Sequence, residues 1–320
     1  MSDLIQQQAM YMNFDTKESW IIQSPIEKQI KEKVDKIGVP LKDWNIKINF
    51  GIKTGYNPAF IINGETRTNI LNGCKTPDER TRTDALIRPI LRGKDVQRYE
   101  STFADQWALF IPWHFPLHTD SSIVGASEKA EVEFSATYPT VYSHLLMHKE
   151  KLSARNKAET GIRYEWYALQ RWGAKYWEDF SKQKIVWGEI SDRPKFVLDE
   201  EGKYYAEATT FIMTGDISLK YLLAFLNSKY SEYMFSKIGT TTGMGTTRWK
   251  KFKILELPIP VLSPNDEIKY THIVDSIMHN RKNNLPTDTL ERKIDSMIYE
   301  LFKFTEDEIK IIEGFMENVS

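Results

Sequence analysis

Apolar residues recur along this chain in two periods, and the periods divide it. Ile26, Ile30, Val34 and Ile37 lie three and four apart, the stripe of an amphipathic helix. Ser24-Pro25-Ile26-Glu27 opens that helix as a capping box with proline at its first position, and Gly38 with Pro40 closes it. Ile46, Ile48 and Phe50 then alternate with polar residues, as a half-buried strand does. Gly51 and Gly55 bracket Ile52-Lys53-Thr54, Tyr56-Asn57-Pro58 follows, and Ala59 to Ile62 is apolar. Residues 46–63 are therefore expected to form strand, tight glycine turn and strand, with a further turn at Asn63-Gly64.

Beyond this point the pattern is mixed. Residues 66–83 read as a polar loop, and 86–91 as an apolar stretch interrupted by Arg88 and Pro89. Strands are expected at 107–112, 184–190 and 209–213, a helix at 138–152, and a hairpin joining 195–198 to 203–206 through Asp199-Glu200-Glu201-Gly202. Ser218 caps a helix whose face is Leu222, Leu223, Phe225, Leu226 and Tyr230. The tail returns to the helical period. Ser263-Pro264 starts one helix. Thr287 or Asp288 caps a second, with Leu290, Ile294, Met297, Ile298 and Leu301 as its stripe, and Thr305-Glu306-Asp307-Glu308 opens a third. The expected fold is α+β: a helical lead-in over 1–45, a strand-rich part with mixed sheets and flanking helices over 46–262, and C-terminal helices over 263–320.

Composition narrows the class. At 320 residues, 41% hydrophobic and 12% aromatic, the chain reads as ordinary soluble globular protein. One cysteine, Cys74, rules out an internal disulfide and a cysteine-rich zinc site, so a cytoplasmic setting is the expectation. The start MSDLIQQQAMYMNF lacks the pattern of a secretory signal, and no apolar run approaches the ~20 residues that span a bilayer. A net charge of −1 hides segregation. Six cations face two acids over residues 80–98, five cations face none over 236–253, and four cations meet nine acids over 285–320. Two basic patches and an acidic tail suit an anionic partner engaged on one side; solvated faces give the same pattern.

Catalytic patterns are incomplete. Asn57-Pro58-Ala59-Phe60 imitates the Asn/Asp-Pro-Pro-Tyr motif of adenine methyltransferases but has one proline too few and no cofactor-binding half before it. Pro77-Asp78 with Glu201-Gly202-Lys203 is a very widely split version of a nuclease motif. His114 and His118, like His144 and His148, are four apart without the carboxylate that a zinc protease needs. The other chemistry is a grip. Gly239 to Lys251, GTTTGMGTTRWKK, is rich in hydroxyls and backbone N–H groups and ends in cations, as suits a phosphate backbone. A flexible loop without a ligand has the same composition.

Several stretches, taken together and in order, carry a resemblance: GIKTGYNPAFIIN (51–63), IRPILRGKDVQRY (87–99), KIVWGEIS (184–191), YLLAFLNSKYSEYMF (221–235), LPIPVLS (257–263) and the closing LERKIDSMIYELFKFTEDEIKIIEG. They resemble the TaqI-like C-terminal specificity domain of adenine-specific DNA methyltransferases and type IIG restriction enzymes. The resemblance implies a DNA target-recognition domain of a restriction-modification system, non-catalytic by itself and preceded by methyltransferase or nuclease domains. S-adenosylmethionine and magnesium are implied for those domains and no cofactor for this chain; the implied partners are double-stranded DNA and the catalytic domains. On this reading Lys53, Arg92, Lys94, Arg248 and Lys250 hold phosphates, with Arg98, Thr241 and Thr242 on the same surface. Thr54-Gly55-Tyr56-Asn57 lies at the DNA face. Asn57, Arg88 and Arg171 are the candidates for base reading, since amides suit adenine and guanidiniums suit guanine. The alternatives are a small divergent methyltransferase or nuclease using Asn57, Asp78 or Glu201, and a protein-interaction module of a restriction-modification complex.

Overall fold

Ser24 opens the first helix as its spacing dictates. In the computed structural model, which describes residues 24–238, 240–241 and 247–314, α1 spans Pro25–Ile37. Ser24 Oγ accepts the Glu27 N–H, and the Glu27 carboxylate accepts the Ser24 N–H at 2.7 Å. Two donors that a helix start leaves unpaired are thereby satisfied. Ile30 and Val34 are its buried residues. The chain turns extended at Gly38, where β1 (Gly38–Pro40) pairs antiparallel with β13 (Pro258–Pro260).

The centre is a four-stranded antiparallel sheet in the order β2 (Ile46–Phe50), β10 (Thr210–Gly215), β6 (Lys184–Gly188), β8 (Phe196–Asp199). Ile48, Ile185, Trp187, Phe196, Leu198, Phe211 and Met213 enter one core, and Val186, Val197 and Ile212 enter another. With both faces covered, strands such as KIVWG are buried at every position. They show a continuous apolar run where a half-exposed strand would alternate.

The first core is filled from α1, α8 (Leu219–Leu226), α9 (Lys229–Ile238), α11 (Pro264–Lys282), α12 (Asp288–Phe302) and α13 (Glu306–Gly314). The caps foreseen at Ser218, Ser263 and Thr305 are present: each hydroxyl accepts an N–H three residues on. Thr287 occupies the cap position of α12, but its hydroxyl donates to Glu291 at 2.7 Å. The second core lies under a sheet in the order β3 (Ile61–Asn63), β5 (Gln106–Leu109), β4 (Ile87–Leu91), β9 (Tyr205–Ala206), with β4 and β9 parallel. Phe115, Phe134, Tyr167, Leu169 and Phe180 fill it. The fold is α+β, with mixed sheets.

Four local expectations are corrected. Residues 46–63 are not a hairpin: β2 and β3 belong to different sheets, and Asn57–Phe60 is a short helix, α2. Gly51 carries the chain from one sheet to the other. A Cβ there would stand 2.1 Å from the Glu207 carbonyl oxygen, so no side chain fits. Residues 66–83 are helical, as α3 (Gly64–Asn72) and α4 (Pro77–Leu86). Asn63, expected in a turn, caps α3 by accepting the Thr66 N–H at 2.8 Å, and Thr76 caps α4. With so few buried apolar residues in these helices, the periodicity was faint and the caps carried the signal. The 195–206 hairpin does not form either, because β8 pairs with β6 while β9 pairs with β4. The helix expected at 138–152 is broken at Met147-His148 into α6 (Pro139–Leu146) and α7 (Lys149–Ser153), with α5 (Glu128–Thr137) before them.

Candidate nucleic-acid interface

Several strands end at one place. Gly51 N–H reaches the Thr210 carbonyl at 3.0 Å, Ile52 N–H reaches Ala206 at 2.8 Å, and Glu207 N–H reaches Leu91 at 3.0 Å. The exits of β2, β9 and β4 are therefore adjacent. From Leu91 the chain enters the Arg92-Gly93-Lys94-Asp95 turn, which closes on the end of β6: a Cβ on Gly188 would lie 3.0 Å from the Gly93 Cα. The chain then forms β7 (Ile190–Ser191), which joins β12 (Thr247–Arg248) and β11 (Thr240–Thr241) in a small sheet. Trp249 N–H reaches the Glu189 carbonyl at 2.7 Å, and α10 (Lys251–Ile254) follows Lys250.

This edge gathers many of the expected residues. Lys53 and Arg171 form a reciprocal backbone bridge, N–H to carbonyl at 2.8 and 2.9 Å. The Arg171 guanidinium lies 5.1 Å from the Phe50 ring centre and donates to the Gly51 carbonyl at 3.2 Å. Phe50 itself is 40% exposed. Lys94 is exposed at the tip of its turn, and Lys53 is exposed beside Arg171; neither has an ion pair among the described residues. Arg248 sits opposite the exposed Ile190 and 3.5 Å from the Glu189 carboxylate. Lys250 stands 5.7 Å from the Phe252 ring centre.

Of the other expected residues, several are committed to partners within the fold. Arg92 forks onto Asp95 at 2.8 and 2.9 Å, and Asp95 also accepts the Arg92 N–H. Burial pushes the Asp95 carboxyl up, but these bonds outweigh it and hold it below the usual carboxylate range. Arg98 bonds Glu291 on α12 at 3.1 and 2.5 Å. Arg88 is exposed on β4 with its guanidinium 5.9 Å from the Tyr205 ring centre. Thr54 is buried, its hydroxyl donates to Asn57, and its carbonyl is held by Arg155. Gly55 has φ +75°, Tyr56 packs edge-on against His148, and Asn57 is exposed at the start of α2. The backbone of Thr241 pairs with Thr247; Thr242 lies outside the described residues.

Sequence reasoning missed Arg155, Glu189, Glu207 and Phe50. Arg155 is buried and bonds the carbonyls of Thr54, Leu152, Trp166 and Ala168, which shapes the 51–57 loop from beneath. Burial without a carboxylate partner pushes its guanidinium down to about 10. A lone arginine in a polar stretch carried no sign of this. The exposed Phe50 could have been suspected from its place at the end of an alternating strand beside glycine.

Residues in and beside the catalytic look-alikes hold structural places in the fold. Phe60 of the Asn57-Pro58-Ala59-Phe60 stretch is wholly buried, so its ring has no free face for a base. Asp199, at the Glu201 turn, forms a buried ion pair with Lys184 at 2.6 Å and accepts the Lys203 and Tyr204 N–H groups. Among the described residues no group of three or more His, Cys, Asp or Glu is placed to hold a metal. None of the described helices is long and apolar enough to cross a membrane.

Comparison with known proteins identifies the family. The type II methyltransferase M.MjaIV of Methanocaldococcus jannaschii is 23% identical over 255 residues, covering 79% of this chain and 77% of that protein. Among solved structures, the type IIL restriction-modification enzyme MmeI, determined in complex with DNA, superposes with a TM-score of 0.57 at 14% identity. The match covers 88% of this chain and only 36% of MmeI, so this chain spans about a third of that enzyme's length. The type IIG restriction endonuclease BpuSI matches with a TM-score of 0.45 at 11% identity, over 79% of this chain and 28% of its own. The sequence profile of the TaqI-like C-terminal specificity domain matches residues 88–259, from Arg88 on β4 to Ile259 on β13. That span is more than half of the chain, and the chain belongs to this restriction-modification specificity family.

Proposed function

We propose that this chain recognises a specific sequence in double-stranded DNA, as the specificity part of a restriction-modification enzyme. Methyltransferase or nuclease domains would perform the chemistry and bind S-adenosylmethionine and magnesium. The observation that carries the reading is the convergence of strand ends. It sets Lys53, Lys94, Arg248 and Lys250 along one edge with the exposed Phe50 between backbone turns. Cations gathered near strand ends suit phosphates, and phosphate contacts fix register so that neighbouring side chains can read base edges. In this proposal Arg92 and Arg98 position the interface from behind, and Arg171 and Asn57 are the candidate readers on it.

The test is retention of a randomised duplex pool by the purified chain at two salt concentrations, followed by sequencing. A retained motif is expected. With four phosphate contacts, log affinity should fall with log salt at a slope of about −3 to −4. Uniform retention of all sequences would reduce the function to non-specific binding, and no retention at either salt would refute autonomous recognition. The name of the archaeal relative favours one second reading, a methyltransferase activity within this chain. Calorimetric binding of S-adenosylmethionine by the isolated chain would support that reading instead.

A further inference from the structure

A groove of about 770 Å³ runs along β2 and reaches Arg171 at the gathered strand ends. β2 is the edge of the central sheet, with β10 as its single neighbour. The register fixes which of its backbone groups are free. Gly51 bonds Thr210, and Phe50 stands opposite Phe211, so residues 47, 49 and 51 turn their N–H and carbonyl groups toward β10. Ile48 and Phe50 therefore turn theirs outward, and Ile48 lines the groove.

Two walls flank this open edge. Lys42, Lys251 and Leu255 form one, tied to each other through the Lys42 N–H and the Leu255 carbonyl at 2.8 Å. Leu255 packs on the first core. Trp113, Lys175 and Tyr176 form the other, and the two aromatics pack on the second core. The walls thus stand on opposite faces of the sheet, and the edge strand lies between them. A new strand would sit about 4.8 Å from β2.

The slot is basic. Six cations line it against Glu178 and Asp179. Lys42 is paired with Glu256 and Lys182 with Asp179, whereas Lys47, Lys175 and Lys251 have no ion pair among the described residues. The Arg171 Nε, also on the groove, is buried with no hydrogen-bond partner. Lysine on an edge strand is also a common guard against unwanted pairing. Here, however, the lysines stand on both walls as well as on the strand.

We infer that this slot takes an extended acidic polypeptide segment of a partner protein, added to β2 as a further antiparallel or parallel strand. Its carboxylates meet Lys47, Lys175 and Lys251, and its backbone pairs with Ile48 and Phe50. A polypeptide supplies both donors and acceptors at strand spacing. DNA phosphates supply acceptors only, leaving the outward carbonyls of Ile48 and Phe50 without donors. The groove borders the proposed DNA interface and shares Arg171 with it, whereas Lys94 and Arg248 lie outside the groove.

The experiment uses the full chain and a fluorescein-labelled nine-residue peptide of alternating glutamate and valine, with a lysine–valine peptide as control. Saturable binding of the acidic peptide is expected, with slowed amide exchange at Ile48 and Phe50. K175E/K251E should weaken it by about tenfold or more, and K94A/R248A should leave it unchanged. Circular dichroism and peptide-free exchange check that both variants are folded. Three results would each overturn the inference: no binding of the acidic peptide, binding without protection of Ile48 and Phe50, or displacement by duplex DNA whose own affinity falls in K175E/K251E. The last would assign the groove to nucleic acid.

Discussion

Asp95 receives three hydrogen bonds from one residue, Arg92: from its backbone N–H at 2.9 Å and from its guanidinium at 2.8 and 2.9 Å. The carboxylate is 6% exposed, so the pair is the internal brace of the turn that presents Lys94. Arg92→Ala should therefore act on stability, by about 2–3 kcal/mol in urea unfolding, because it leaves a buried carboxylate unpaired. The depressed Asp95 carboxyl contributes stability that is present above its unfolded value near 3.8 and lost as pH falls through its folded value. R92A should flatten that acid-side loss. An R92A protein as stable as wild type would show that the brace is unimportant.

Lys94→Ala should do the opposite. Its side chain is exposed without an ion pair among the described residues, so the fold should lose less than about 0.5 kcal/mol. On the proposed function, affinity should weaken almost equally for all duplexes, and the salt slope should drop by about 1. Filter binding at several salt concentrations measures both. A change in sequence preference without a change in slope would make Lys94 a reader.

Glu291 joins the 92–99 segment to the C-terminal helices. It accepts from Arg98, from Arg281 at 2.9 Å and from the Thr287 hydroxyl at 2.7 Å, and is 13% exposed. Glu291→Ala leaves two guanidiniums unpaired in a largely dry site, at a cost of about 3 kcal/mol. Glu291→Gln should cost less, since it keeps acceptors while losing charge. Equal losses in the two variants would show that packing, and not the ion pairs, holds the junction.

Burial pushes the Asp295 carboxyl up to about 6, against the Lys229 N–H that it accepts at 2.9 Å. A folded value raised above the unfolded 3.8 means that the folded protein holds the extra proton between about pH 4 and 6. Stability contributed by this group is therefore greatest below that window and declines as pH rises through it, by up to about 3 kcal/mol. Asp295→Asn keeps the acceptor and removes the ionisation. It should be more stable than wild type at pH 7–8, with the difference vanishing near pH 4 in thermal melts. A constant difference across pH would rule out the titration.

Gly51 is the hinge between the two large sheets. Gly51→Ala places a methyl 2.1 Å from the Glu207 carbonyl oxygen and 2.5 Å from that of Ala206. The β2–β9 junction must part, so a loss of at least about 2 kcal/mol is expected, together with faster amide exchange at Ile52 and Glu207. An unperturbed G51A would show that the junction has slack.

What was legible in the chain was local. Ser24 with Glu27, Ser218, Ser263 and Thr305 with Glu308 each interact within three residues, so their spacing alone foretold helix starts that the structure contains. The Arg92 to Asp95 turn closes on itself, and it lies in one of the several stretches whose order carried the resemblance to the specificity family. Which strand pairs with which was not legible. Ile46 to Phe50 looks like half of a hairpin, yet its partner β10 lies far along the chain, and Phe196 to Asp199 pairs with β6 just before it and not with Tyr205 and Ala206 just after it. Pairing is decided by which apolar faces can be covered together, and that depends on every other element at once. The same is true of the interface. Lys53 meets Arg171, and Glu189 meets Arg248, only because strand ends from separate segments are stacked at one edge of the folded sheets.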